Sequence, residues 1–192
     1  VEGTAFGDRP VTQAETPSYQ GRLNIVGTRA VNSHASAPGQ SVSEKDGATG
    51  TLTSPEFVVA RKFIAFSLGG GRHPGKTGIE LLVDGEVVDR RSGGNANSMQ
   101  PAYFDTGKYE GRKARLRIVD RVSGGWGNVG VDEIVFTDRR PALGTVEDQA
   151  DAGSMCLTFL GNEPVRQSKH EGYSGMETMF TLAARSTKTF TF

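Results

Sequence analysis

The clearest indication of the fold class is IELLVDGEVVD, residues 79–89. It places Asp84 and Gly85 between two apolar-rich runs, and Asp-Gly is a favoured two-residue turn between antiparallel strands. Other short apolar runs on both sides are separated by Gly, Pro, Asn and Asp, which is the pattern of strands and turns. Roughly seven short strands of this kind predict an all-β protein, a β-sandwich or jelly roll.

The burial of individual strands can be predicted from their alternation. In RLRIV, residues 115–119, Leu116 and Ile118 point to one face of the strand. Arg115 and Arg117 point to the other face, which we therefore expect to be exposed to solvent. By contrast, FIAFSL at residues 63–68 is apolar on both faces, which indicates a central strand. The runs at 21–27 and 29–35 are interpreted as edge strands.

Composition limits the classes of partner. The 192 residues carry 22 basic and 22 acidic side chains, and no basic stripe is visible, so we expect no nucleic-acid partner. No apolar run is long enough to cross a bilayer, so we expect no membrane partner. The 26 glycines are nearly twice the usual share, which fits a protein with many tight turns.

The chain divides into two parts by composition. Residues 138–153 are polar and contain Pro and Gly, the pattern of a linker. Beyond them lie two strand-like runs, the first of which contains Cys156 as an expected buried thiol. We therefore expect a sandwich over residues 1–138, and over 139–192 a linker plus a strand fragment of a neighbouring β-domain.

Strand direction predicts where the functional loops lie. Successive connections between antiparallel strands alternate between the two ends of a sandwich, so the glycine-rich segments near 69–77, 90–100 and 121–128 should share one end. Binding residues gather on loops that a rigid scaffold positions, and planar amides, guanidinium groups and an indole suit sugar hydroxyls and ring faces. The candidate ligand-binding residues on these segments are Arg72, His73, Arg90, Arg91, Asn95, Asn97, Trp126 and Asn128. The same glycines would also suit ordinary turns, with the indole closing one end of the core.

Motifs for other chemistries are weak. Residues 70–77 match a phosphate-binding loop formally, but a strand pattern rather than a helix follows them. The carboxylates considered for glycoside hydrolysis are Asp105, Asp120, Asp132 and Glu133, and structural or metal roles are favoured for them. Calcium suits oxygen ligands, so Glu2, Asp132 and Glu133 are its candidate ligands.

The motifs GGGRHPGKT at 69–77, GGWGN at 124–128 and VDEI at 131–134 carry a resemblance. With the strands between them, they resemble the galactose-binding-like β-sandwich of carbohydrate-binding module family 66, which accompanies levanases and other fructan-active hydrolases. The resemblance implies calcium-stabilised binding of terminal sugar units at the loop end. It adds Asp120 to the candidate ligand-binding residues.

A shorter resemblance concerns the last fifty residues. The runs DAGSMCLTFLG and TMFTLAARSTKTFTF look like strands of the N-terminal β-domain of glucosylceramidase-type hydrolases, glycoside hydrolase family 116. We therefore expect a non-catalytic carbohydrate-binding module in a bacterial glycoside hydrolase, outside the cell or in the periplasm, with the other domains of that parent as partners. The alternatives are a structural or protein-docking domain and, further off, a small glycoside hydrolase.

Overall fold

The computed structural model describes residues 1–141, 166–170, 173–182 and 186–191. The chain forms two compact units, Val1–Pro141 and Ala142–Phe192. The strands of the first unit, in chain order, are β1 (Glu2–Gly3), β2 (Val31–Asn32), β3 (Gly50–Thr53), β4 (Phe57–Val58), β5 (Phe63–Gly70), β6 (Thr77–Val83), β7 (Glu86–Arg91), β8 (Ala96–Asp105), β9 (Lys113–Asp120) and β10 (Val129–Thr137). Its helices are α1 (Ser33–Ser36) and α2 (Val42–Gly47), with single 3-10 turns at Gln13–Glu15, Ser18–Gln20 and Gly107–Tyr109.

The first unit is an antiparallel β-sandwich, which confirms the predicted fold class. One sheet has the strand order β1-β3-β9-β6-β7, with β4 also paired to β9, and the other has the order β2-β10-β5-β8. Every strand pair in both sheets is antiparallel. The core between the sheets is built by alternate residues of the long strands, as in Ile64 and Phe66 of β5 and Ile79 and Leu81 of β6.

The predicted hairpin is confirmed in detail. Val83 pairs with Glu86, so Asp84 and Gly85 alone make the turn between β6 and β7. Both turn residues have positive φ, 50° for Asp84 and 87° for Gly85, which matches the right-handed twist of the flanking strands. The Asp-Gly pair was therefore a reliable marker of register at this point.

The predicted faces of two strands are also confirmed. Leu116 and Ile118 are each 5% exposed, whereas Arg115 is exposed and Arg117 is partly exposed. Strand β5 lies between β10 and β8, which makes it a central strand. Because Thr77 begins β6 directly after the glycine-rich segment, no helix follows that could hold a phosphate there.

The N-terminal part differs from the prediction. Residues 21–27 form no strand, and only Val31–Asn32 of the second run does, because α1 begins at Ser33. The side chain of Asn32 accepts a hydrogen bond from the Ala35 amide at 2.8 Å, which caps α1. Polar capping therefore overrides the alternating pattern of this segment.

The second unit contains a three-stranded antiparallel sheet of β11 (Arg166–His170), β12 (Tyr173–Leu182) and β13 (Ser186–Thr191). The expected run with Cys156 lies outside the described residues, as does most of the expected linker. Among the described residues, no helix has the length and apolar character needed to cross a bilayer.

Candidate functional site

Three glycine-rich loops meet at one end of the sandwich: residues 71–76, 92–95 and 121–128. We call this surface the loop rim. The Asn95 side chain accepts a hydrogen bond from the Arg72 amide at 2.7 Å, which ties the second loop to the first. The Gly71 amide donates to the Asn128 carbonyl at 2.9 Å, which ties the third loop to the first. The parity argument from the sequence is thus confirmed.

Close backbone approach explains the glycines of the rim. A Cβ on Gly71 would lie 2.0 Å from the Trp126 carbonyl oxygen, and one on Gly93 would lie 2.3 Å from the Gly70 carbonyl oxygen. Any side chain at either position would push two loops apart. Glycine is therefore required at these two positions because the backbones are in close contact, whether or not the turn itself needs a glycine.

Trp126 stands at the rim rather than in the core. Trp126 is 39% exposed. Its backbone has φ 59°, a left-handed conformation that is uncommon outside glycine. On the same loop, the Gly125 carbonyl lies 3.4 Å from Nε2 of His73. The backbone of the third loop thus lies against the first loop, which carries His73 and the exposed Arg72, and Asn95 of the second loop is also exposed.

A buried polar cluster supports the third rim loop, residues 121–128, from the core side. We call this loop the Trp126 loop. The Ser33 hydroxyl donates to Oδ2 of Asp120 at 2.6 Å and accepts from the Val129 amide at 2.9 Å, so it joins the two ends of the loop. The Asp46 carbonyl accepts from the Gly124 amide at 2.8 Å. Because Ser33, Asp46 and Asp120 are all buried, this support is rigid.

The ring of His34 completes the cluster. Its Nδ1 lies 2.6 Å from Oδ1 of Asp46, and its Nε2 lies 2.9 Å from the Tyr19 hydroxyl. Tyr19 itself is 53% exposed, so the chain of contacts runs from the surface to the buried Asp46. This arrangement fixes α1 against α2 at the loop end of the sandwich.

Asp120 lines a pocket of about 300 Å³ beside the rim. The pocket is lined by Glu2, Gly3, Thr49, Gly50, Thr51, Asp120 and Arg121. Asp120 is 1% exposed, and its Oδ1 has no hydrogen-bond partner among the described residues. Burial raises the pKa of Asp120 to about 6, although hydrogen bonds from Ser33 and the Val122 backbone act in the opposite direction. A raised pKa and an unpartnered buried oxygen beside a pocket together make Asp120 a candidate functional residue.

The other predicted ligand-binding residues do not all reach the rim. Asn128 is 6% exposed, so its amide is part of the packing under the loops. Asn97 lies on β8, and its Oδ1 is buried without a partner in the described part of the chain. Arg90 and Arg91 lie on β7 rather than in a loop. The Arg91 guanidinium pairs with Asp89, and its central carbon lies 5.3 Å from the centre of the Phe104 ring.

The proposed calcium ligands are not brought together, so that grouping is wrong. Glu2 lies in β1 of one sheet and accepts from the Thr51 hydroxyl at 2.8 Å. Asp132 lies in β10 of the other sheet and accepts from the amides of Val26 and Glu133, both at 2.8 Å. Within the described ranges, no group of three or more His, Cys, Asp and Glu side chains could hold a metal ion. Calcium binding stays a prediction, without these residues as its ligand set.

The carboxylates considered for hydrolysis are also separated by the fold. Asp105 ends β8, and Asp120 ends β9, at opposite ends of the sandwich because β8 runs from the rim and β9 runs towards it. Glu133 sits at an irregularity of β10 with φ 53° and is exposed. These positions favour structural roles for Asp105, Asp132 and Glu133.

Sequence reasoning missed Ser33, His34 and Asp46, which support the rim. One signal was present: Ser41 and Glu44 form a capping box, with the Ser41 hydroxyl accepting from the Glu44 amide at 3.2 Å and Oε2 of Glu44 accepting from the Ser41 amide at 2.9 Å. That pattern marks the start of α2, which carries Asp46. No local pattern indicated that Ser33 and Asp120 would meet across 87 residues of chain.

No protein-family model matches the chain. The chain is 36% identical over 95 residues to the protein named "Putative glycosyl hydrolase ecdE" of Aspergillus rugulosus. That match covers 50% of the chain but 14% of the relative, so it relates one segment of this chain to one segment of a longer protein.

Proposed function

We propose that the first unit is a non-catalytic carbohydrate-binding module whose receptor is the loop rim together with the Asp120 pocket. The parent would be a glycan-active protein acting outside the cell or in the periplasm, with its other domains as partners of this one. The observation that carries the proposal is the exposed Trp126, held in a strained backbone conformation on a loop that is tied to two further loops with polar side chains.

The chemistry of the rim suits a sugar ring with its hydroxyls. An indole face packs on the C–H face of a pyranose or furanose ring, while guanidinium, imidazole and amide groups bond its hydroxyls. Arg72, His73 and Asn95 supply such groups within one surface. A relative whose name describes a glycosyl hydrolase supports a glycan as the ligand class.

The support of the loops agrees with this proposal. A receptor that binds weakly gains from loops that are already ordered, because ordering them on binding would cost free energy. Ser33 and Asp46 hold both the ends and the middle of the Trp126 loop. We expect dissociation constants of about 10 µM to 1 mM, as for a shallow polar site.

The test is calorimetric titration of the full chain with a panel of fructans, arabinans and glucosides, in the presence of calcium. Trp126→Asn should weaken binding by at least about tenfold, the equivalent of about 1.4 kcal/mol. Asn tolerates the left-handed backbone found at this position, so the loop itself is preserved. Trp126→Tyr should restore part of the affinity through its ring.

Phe136→Asn is the matched control, because Phe136 is 44% exposed and lies near the far end of β10, away from the rim. It should bind every sugar as the wild type does. If the wild type bound none of the sugars in the panel, the proposal would be contradicted. Turnover of aryl glycosides by the purified chain would favour a hydrolase instead.

One observation favours a second candidate, a protein-docking domain. Val58, Ile134, Val135 and Phe136 are exposed by 58, 41, 46 and 44%, and the Phe136 ring lies edge-on to Phe57 at 5.1 Å. Exposed apolar side chains in one area often mark an interface. If docking were the main role, Phe136→Asn would disrupt the assembly of the parent while Trp126→Asn would not.

A further inference from the structure

We propose that an arginine cluster next to the loop rim binds the anionic group of an acidic glycan, a carboxylate or a sulfate ester. The cluster consists of Arg90, Arg117 and Arg121, which surround Glu80 on the outer face of the first sheet. This inference rests on the proposed function and narrows the ligand class from glycans in general to acidic ones.

The centre of the cluster is a buried carboxylate. Glu80 lies on β6 and is 2% exposed. Its Oε2 accepts from Nε of Arg117 at 2.8 Å, and its Oε1 accepts from Nε of Arg90 at 3.1 Å and from Nη1 of Arg121 at 3.4 Å. Burial alone would raise the pKa of Glu80, but hydrogen bonds from the three arginines lower it, so the carboxylate stays ionised.

The charges of the cluster do not balance. Three guanidinium groups face one carboxylate, which leaves a surplus of two positive charges. Arg117 already satisfies Oε2 through two nitrogens, at 2.8 Å and 2.7 Å. One arginine suffices to neutralise the charge of Glu80, so Arg90 and Arg121, which donate to its Oε1, add positive charge beyond that of the carboxylate.

The surplus arginines also keep unused donors. A guanidinium has five N–H groups in a planar fork that matches carboxylate and sulfate oxygens. Arg90 contacts Glu80 through Nε, and its side chain is 53% exposed. The side chain of Arg121 is 39% exposed. An anion can therefore approach both groups from solvent.

Several neighbouring charges are paired with one another, whereas Glu2 and Asp120 line the same pocket as Arg121. Arg115, on the same face of β9, lies 3.8 Å from Glu56, which also pairs with Lys113 at 3.0 Å. Asp89, next to Arg90 in β7, pairs with Arg91. The positive surplus of the cluster is thus centred on Arg90 and Arg117, which are not among the residues that line that pocket.

The cluster borders the rim. Arg121 donates from Nη1 to the Gly75 carbonyl at 3.0 Å, and its amide donates to the Lys76 carbonyl at 2.7 Å. A Cβ on Gly75 would lie 3.7 Å from Cδ of Arg90. Gly75 belongs to the first rim loop, so one glycan chain can present a ring to the rim and an acidic group to the cluster. The net charge of zero for the whole chain favours such a local group over a long polyanion.

The experiment is NMR titration of the ¹⁵N-labelled full chain, observed at arginine Nε–H and at the indole N–H. The probes are D-galacturonate, D-galactose 6-sulfate, D-galactose and inorganic sulfate. We expect at least one acidic sugar to bind about tenfold more tightly than D-galactose, to shift the Nε–H signals of Arg90 and Arg121, and to weaken as salt is added. The two acidic sugars distinguish a carboxylate from a sulfate ester.

Arg90→Gln should remove that tenfold preference, and Arg121→Gln should reduce it in the same direction. Arg112→Gln is the matched control, since Arg112 is similarly exposed but pairs with Asp84 at the far end of the sandwich. Unperturbed backbone signals would show that each variant is folded.

The outcomes separate this inference from the proposed function. Equal binding of neutral and acidic sugars, with shifts at the indole only, would overturn the acidic-glycan assignment and leave the sugar receptor standing. Shifts of the arginines with inorganic sulfate, but with none of the sugars, would overturn both. A preference for acidic sugars that survives Arg90→Gln and Arg121→Gln would overturn the role of the cluster.

Discussion

Replacing Asp120 by Asn tests the energetics of the site. Asp120 is 1% exposed, and burial raises its pKa from 3.8 to about 6. A carboxyl whose pKa is higher in the folded state than in the unfolded state holds its proton more tightly when folded. Its contribution to stability is therefore full below about pH 4 and is lost as the pH rises through about 6.

The size of the effect follows from the two pKa values. A change from 3.8 to about 6 corresponds to about 3 kcal/mol, at 1.36 kcal/mol per pH unit. Asn has nearly the same shape, accepts a hydrogen bond from Ser33 through its carbonyl oxygen and cannot ionise. The free energy of unfolding of Asp120→Asn, relative to the wild type, should therefore rise by up to about 3 kcal/mol between pH 4 and pH 7.

Urea unfolding at several pH values between 4 and 7.5 measures this difference. Fluorescence of Trp126, the single tryptophan of the chain, reports on the unit that contains Asp120. Asp138→Asn is the control: hydrogen bonds from Arg61 and the Lys62 amide lower the pKa of Asp138, so its contribution is lost only as pH falls below the usual carboxyl range. A difference for Asp120→Asn that stays constant across the pH range would show that folding does not raise the pKa of Asp120.

Two further predictions concern stability and loop contact. Gly71→Ala should abolish sugar binding and cost about 1–3 kcal/mol in the free energy of unfolding, because the new Cβ would meet the Trp126 carbonyl at 2.0 Å. Gly125→Ala has no atom within 4 Å of its Cβ, so it should leave stability nearly unchanged in the same urea assay. Arg117→Gln should lower the melting temperature, since it removes the two nitrogens that bind Oε2 of the buried Glu80, at a cost of about 1–3 kcal/mol. An unchanged melting temperature would show that Arg90 and Arg121 suffice to stabilise that carboxylate.

Much of the candidate site could be predicted because it depends on topology. Antiparallel strands joined in succession must return alternate loops to the same end, so Trp126 and His73 could be placed together from their loops alone. The roles of single residues in those loops could not be predicted in this way. Asn128 turns inward and Arg91 packs over Phe104, because the local backbone and its neighbours, rather than the loop they belong to, set the direction of each side chain.

The all-β class, the hairpin at Asp84-Gly85 and the inward faces of the long strands could all be inferred from the order of the residues. These features depend on contacts between neighbours in the chain and on the alternation of apolar and polar residues along each strand. Both can be recognised in a short segment of sequence. The burial of Asp120 against Ser33 and the position of Glu80 beneath three arginines, by contrast, follow from the folded arrangement of distant segments. Burial and charge pairing depend on which residues meet across the sheets, and residues far apart in the chain leave no periodic signal of such a meeting.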